Sequence, residues 1–125
     1  MSKSVNSVML LGNVGQPPEI KTPANGALRA TVSIATNEKT KKGDKWIDHT
    51  EWHRVVLFGR LAELARDYLH KGSKVFIEGK LRTWKWDDAG TTRYMTNIIA
   101  TDLTLLDSRD TRPPEPPAEV YDAAF

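Results

Sequence analysis

Within TEWHRVVLFGRLAELARDYLHKG, residues 50–72, a strand gives way to the chain's one helical period. The segment opens as a strand that carries an aromatic, Trp52, and an arginine, Arg54, on one face. Beyond Gly59, Leu61, Leu64, Ala65 and Tyr68 recur at i, i+3, i+4 and i+7, one face of an α-helix about three turns long. Gly72 fits the left-handed position past the helix C-terminus, and His70 and Lys71 are placed to meet the negative end of its dipole. The remaining segments have to be arranged around this strand–helix unit.

They read as strands and turns. Residues 4–14 read as a strand, broken by glycine at Gly12 and Gly15. QPPEIKTPANG, with its prolines and its Asn25–Gly26 turn signal, is a loop around at most a short edge strand. Leu28, Ala30, Val32 and Ile34 alternate with Arg29, Thr31, Ser33 and Ala35, a half-buried strand. Residues 37–44 are polar and basic, with Gly43 and Asp44 marking a hairpin tip before the strand 45–58. Residues 75–86 form a strand that Gly79 should bend, 87–90 a turn and 94–106 the last strand. Three strands, a helix and two strands is the plan of an all-β, five-stranded Greek-key barrel, the OB-fold, with one short α-helix between strands 3 and 4. Residues 1–107 are expected to form this domain. The Pro-rich, weakly acidic stretch 108–125, containing RPPEPPAE, can neither fill a core nor pair in a sheet and is expected to be a disordered tail.

Composition narrows the function. A chain of 125 residues makes one domain, and 39% hydrophobic residues supply one core. The absence of Cys excludes disulfides and thiolate metal sites and fits a reducing, cytoplasmic setting. The apolar run 8–11 is too short for a signal-peptide core or a membrane span. Residues 1–107 hold 16 Lys and Arg against 12 Asp and Glu, while residues 108–125 are net acidic. A basic body with an acidic end suits a binder of polyanions, although ordinary charge scatter gives the same totals.

The third strand carries the sharper signal. Its even positions hold Trp46, Trp52, Arg54, Val56 and Phe58, and its odd positions hold Val55 and Leu57. If Val55 and Leu57 point inward, the even face points outward, and aromatic rings there are costly against water without a use. On the fourth strand Arg82, Trp84 and Trp86 share a face, with Lys80 and Lys85 nearby. Rings interleaved with cations are what unpaired nucleic acid requires: bases stack on the rings, and Lys and Arg neutralise phosphates. The competing reading makes these tryptophans core or subunit-interface residues. No recognition-helix or finger motif for reading duplex DNA is present.

Other chemistry has weaker support. His49, Glu51 and His53 share a strand face and could hold zinc, but polar residues at the barrel rim or a subunit contact explain them far better, since no further ligand cluster accompanies them. Asp87 and Asp88 fit solvated turn acids better than a catalytic pair. No phosphate-cradling loop or nucleophile triad is recognisable, so no enzymatic activity, metal or cofactor is expected. An OB-fold specialised for protein interaction, such as a primosome accessory protein, is a further alternative.

The run TEWHRVVLFGRLAELARDYLHKGSKVFIEGKLRTWKW, with VNSVMLLGNVGQPPE and IATNE before it, strongly resembles the bacterial-type single-stranded DNA-binding protein family, SSB. The resemblance covers residues 4–106. It implies an OB-fold, usually a homotetramer, that coats single-stranded DNA in replication, recombination and repair. It places base-stacking aromatics on Trp52, Phe58 and Trp86, and phosphate contacts on Arg54, Arg60, Lys71, Arg82 and Lys85. Family members often carry a tryptophan shortly after the IAT strand, where this chain has Thr40; Trp46 and Trp84 are the candidates to replace it. The family tail closes on Asp-Ile-Pro-Phe and docks on replication and repair enzymes. Here the close is EVYDAAF, which keeps Asp122 and Phe125 but lacks the proline and most of the acid, so weakened partner recruitment is expected. A divergent tail of this kind fits a phage, plasmid or accessory copy.

Overall fold

A computed structural model describes residues 3–24 and 26–106. The expectations for residues 108–125, including Asp122 and Phe125, lie outside these. The elements are β1 (Val8–Val14), β2 (Glu19–Lys21), β3 (Arg29–Lys42), β4 (Lys45–Phe58), α1 (Arg60–Tyr68), β5 (Lys74–Asp88) and β6 (Thr91–Leu105). The sheet runs β1-β5-β6-β4-β3, and pairing of β1 with β3 at Val14↔Ile34 closes it into a five-stranded barrel. β2 is a three-residue strand on the edge of β3, as the prolines around it require. All pairings are antiparallel except β4 with β6. Leaving β2 aside, the helix falls between the third and fourth barrel strands, the OB-fold order.

Alternation builds the interior. Leu10 and Val14, then Ala30, Val32 and Ile34, then Val55 and Leu57, then Val75 and Ile77, point into one buried cluster. Ile34, Leu57 and Ile77 are among the largest side chains wholly removed from water, and truncating any of them to Ala costs about 2–5 kcal/mol. Gly79 does bend β5: the register with β6 shifts between Glu78 and Gly79, and a Cβ on Gly79 would collide with the Ile99 carbonyl.

The helix differs from its sequence reading in two ways. Its buried stripe is Ala62, Ala65 and Leu69 with Leu61 alongside, while Tyr68 is half exposed. Two alanines let the helix backbone approach the barrel closely, which a stripe through Leu64 and Tyr68 would prevent. Gly72 is not the helix cap. The helix ends at Leu69, whose backbone is extended, and Gly72 (φ 94°) is the third residue of a separate turn closed by Ser73 N donating to His70 O at 3.0 Å. Gly59 does bound the helix, at φ 58°, ψ −124°, a conformation open to glycine alone.

Two arms extend from the barrel. Strand β3 does not stop at residue 36 but continues to Lys42, paired residue for residue with β4 down to Lys42↔Lys45. Every residue from Asn37 to Trp52 is exposed, so both faces of this ribbon meet solvent. The β5–β6 hairpin repeats the arrangement: Lys80 to Thr96 are all exposed, and the ladder runs to Asp88↔Thr91. At the start of the chain, regular pairing begins only at Val8. Before it the Asn6 carboxamide takes over the ladder, donating to Leu81 O and accepting from Leu81 N, both at 2.9 Å.

Candidate nucleic-acid interface

Residues directly opposite each other in a ladder point to the same side. Applied from strand to strand, this rule defines one continuous face. On β4 it holds Phe58, Val56, Arg54, Trp52, Thr50, Asp48 and Trp46, and β3 supplies Arg29, Thr31, Ser33, Ala35, Asn37, Lys39 and Lys41 as their respective partners. On β5 it holds Arg82, Trp84 and Trp86, facing Asn97, Met95 and Arg93 of β6. The parallel contact Val56↔Ile99 joins the two halves.

All five sequence-selected aromatics, Trp46, Trp52, Phe58, Trp84 and Trp86, lie on this face, and all are large exposed hydrophobics. The competing placement of the tryptophans in the core is excluded. Val56 is a correction to an even face that points wholly outward, because it is buried. Strand β6 pairs beside it and the sheet folds over it, so Val56 becomes the floor of a cleft rather than part of its rim. That cleft, of about 210 Å³, is lined by Arg29, Thr31, Arg54, Val56, Phe58, Trp84 and Asn97.

The rings are held in different ways. Trp52 stands opposite Ala35 with its six-membered ring against the backbone of Gly15, where a Cβ would overlap it. Arg82 lies over the Trp84 ring at 5.9 Å from its centroid, and Lys41 is at the same distance from Trp46 at the end of the β3–β4 arm. Between Trp52 and Trp46, Thr50 Oγ1 donates to Asn37 Oδ1 at 2.6 Å. Thr40, where family members often carry tryptophan, pairs with Ile47 and therefore faces the reverse of the arm; Trp46 faces the side of Trp52.

The sequence-selected cations are more scattered. Arg54 and Arg82 share the face with the rings. Lys85 alternates onto the reverse of the β5–β6 arm, opposite Tyr94. Arg60 begins α1, mostly exposed and 3.8 Å from Glu63. Lys71 precedes Gly72, whose N–H donates to Val14 O at 2.8 Å, which places Lys71 beside the Val14–Gly15 corner under Trp52. Reading the sequence alone missed Gly15, Arg29, Met95 and Asn97. The tip Gly43–Asp44 carried a signal for Arg29: a two-residue connection fixes the register, and counting back from Lys42↔Lys45 reaches Arg29↔Phe58.

The candidate metal and acid groups have ordinary partners. His49 Nε2 lies 3.1 Å from Glu51 Oε1, and His53 Nε2 lies 2.9 Å from Thr36 Oγ1. No group of three metal ligands occurs among the described residues. Asp88 pairs with Arg93 at 2.7 Å. Among the described residues no helix is long and apolar enough to cross a membrane.

An OB-fold barrel that lays rings and guanidinium groups along one open face belongs to the class of single-stranded nucleic-acid binders. The model of the single-strand binding protein family matches residues 5–106, and the chain belongs to that family. Its fold is similar to that of a Plasmodium falciparum SSB solved in complex with ssDNA, at 38% identity and TM-score 0.78, covering 86% of this chain and 99% of that one. It is also similar to a deletion mutant of the single-stranded DNA binding protein from Thermus aquaticus, at 26% identity and TM-score 0.76, covering 87% of this chain and 54% of that one.

Proposed function

We propose that this protein coats single-stranded DNA without regard to sequence during replication, recombination and repair, with bases stacked on Trp52, Phe58, Trp84 and Trp86 and phosphates drawn to Arg54 and Arg82. The observation that carries this reading is the shared face: every one of these rings stands exposed beside a cation on one continuous sheet surface. Stacking accepts any base, because each has a π-face. Trp46 extends the track along the arm and is our candidate for the ring absent at Thr40. Arg60 and Lys71 flank the track as further phosphate contacts, and Lys85, on the reverse of the β5–β6 arm, meets the backbone of a strand that wraps around it. The family is one of DNA-binding proteins without catalysis, and we assign none to this chain; a divalent-dependent nuclease assay tests that point.

The working assembly in this reading is a homotetramer in the cytoplasm. Met9 and Leu11 on the outer side of β1 are 67% and 53% exposed, a surface suited to another copy. Replication and repair enzymes would be recruited weakly through Asp122 and Phe125. Fluorescence titration with oligo-dT beside light scattering tests the whole reading. Tryptophan quenching with a fixed site size per tetramer is expected. The absence of quenching, or affinity indifferent to salt, would overturn it, since neutralising each phosphate on a single strand contributes about −0.7 to the salt slope.

A further inference from the structure

The floor of the cleft between Phe58 and Trp84 contains a polar group that stacking and phosphate neutralisation do not use. Asn97 is only 7% exposed, and among the described residues its Oδ1 has no hydrogen-bond donor, although it is sealed from solvent. A buried acceptor left without a donor is destabilising. Its surroundings are those of a nucleotide site. Arg29 and Arg54 line the same cleft with Phe58 and Trp84, and Arg82 faces Asn97 directly across the β5–β6 ladder. The aliphatic part of the floor is Val56; the Thr31 hydroxyl and the Asn97 carboxamide are the uncharged side-chain acceptors of the cleft, and Asn97 Oδ1 is the buried one that has no donor among the described residues.

We infer that Asn97 is a base-edge contact: one base of the bound strand enters this cleft between Phe58 and Trp84, and Asn97 Oδ1 accepts a hydrogen bond from an N–H on its Watson–Crick edge. The inference rests on the single-stranded DNA reading above and adds a residue that neither stacking nor charge would identify. An unpaired strand leaves that edge free, whereas a duplex occupies it. Each base has at least one N–H there, and a carboxamide both accepts and donates, so the contact is compatible with binding any sequence. It favours unpaired over paired bases at one point of the track. The exposed side chains of Trp84 and Arg82 shift to admit the base, and their guanidinium–ring contact at 5.9 Å lies within the exposed arm rather than in the core.

The test uses the full chain and two probes, oligo-dT and the same oligomer built from N3-methylthymidine, which keeps the ring face and loses the N–H. The unaltered protein is expected to bind oligo-dT about threefold to tenfold more tightly than the methylated strand, the range of one hydrogen bond. In Asn97→Leu and Asn97→Ala this preference should disappear, with oligo-dT affinity falling by a similar factor. Asn97→Leu, which replaces an orphaned acceptor by an apolar group of similar size, should also unfold at the same or a higher temperature. Equal binding of the two strands by the unaltered protein would overturn the contact. So would an undiminished preference in Asn97→Ala, which would assign the discrimination to methyl bulk elsewhere. Loss of oligo-dT binding by the unaltered protein would instead refute the proposed function itself.

Discussion

The ring of Trp52 is seated on the backbone of Gly15, and no side chain other than hydrogen fits between them. Gly15 is held there from both sides: its N–H donates to Ser33 O at 2.9 Å, and the preceding Val14 is bonded to Ser73 O and Gly72 N at 2.8 Å. The corner is rigid and the indole is 59% exposed, so a larger residue at 15 should move the ring and not the corner. Gly15→Ala is therefore expected to weaken oligo-dT binding by part of the stacking contribution of one base, about 1–3 kcal/mol when wholly lost. Thermal stability should stay within about 0.5 kcal/mol, as for surface substitutions. Titration and melting on the same sample check it; equal affinity in both proteins would remove Gly15 from the site.

Trp46, Trp52 and Phe58 share one face of one strand, each six residues from the next. At about 3.3 Å per residue the successive gaps are roughly 20 Å. A short oligomer can meet Trp52 and Phe58 and still not reach Trp46 at the end of the arm. Trp46→Ala should leave binding of short oligo-dT unchanged and weaken a longer one by about 1 kcal/mol or more, whereas Trp52→Ala should weaken both. Trp84→Ala should also weaken both, because Trp84 lines the cleft that contains Phe58. A length series for the three variants decides it, and identical profiles for Trp46→Ala and the unaltered protein would take Trp46 off the track.

The fold was legible because its signals are local. A period of two before Gly59 and of 3.6 after it, a glycine bulge at Gly79 and a two-residue tip at Gly43–Asp44 each act within a few residues. The exposed rings were legible for the same reason, since Val55 and Leu57 fix which way Trp52, Arg54 and Phe58 point. What escaped depends on partners distant in the chain. Gly15 matters through residue 52, Asn97 through residues 54 and 84, and Val56 is buried only because β6 arrives beside it. The misplaced cap at Gly72 has another cause. A positive φ is equally the mark of a helix end and of a free-standing turn, and Leu69 pointing into the core decided between them.

Charge should follow the same geometry as the rings. Arg54 lines the cleft, while Arg60 stands mostly in water at the start of α1 near Glu63. Arg54→Ala is expected to reduce the magnitude of the salt slope for oligo-dT by about 0.7, one phosphate's worth on a single strand. Arg60→Ala should change it less, because an exposed cation near a carboxylate contributes little. Binding measured across a range of salt concentrations checks both, and an unchanged slope in Arg54→Ala would place the backbone elsewhere.

The tip of the β5–β6 arm carries a defect that should be removable at no cost to binding. Ala89 and Gly90 form a two-residue connection in which both have positive φ, 52° and 85°, the requirement of a type I′ turn. Asn and Gly meet that requirement readily, and Ala at φ above zero is strained by about 1 kcal/mol. Ala89→Asn, which supplies the Asn-Gly pair such turns prefer, should raise stability by about 0.5–1 kcal/mol and stiffen the arm that carries Trp84 and Trp86. The substituted side chain lies at the turn, beyond the ladder in which Trp86 faces Arg93, so affinity for oligo-dT should be unchanged or slightly higher through better ordering of Trp86. Denaturant unfolding followed beside titration checks both parts. A fall in stability would show that the connection is not held in the left-handed conformation, and a fall in affinity would show that the tip itself meets the strand.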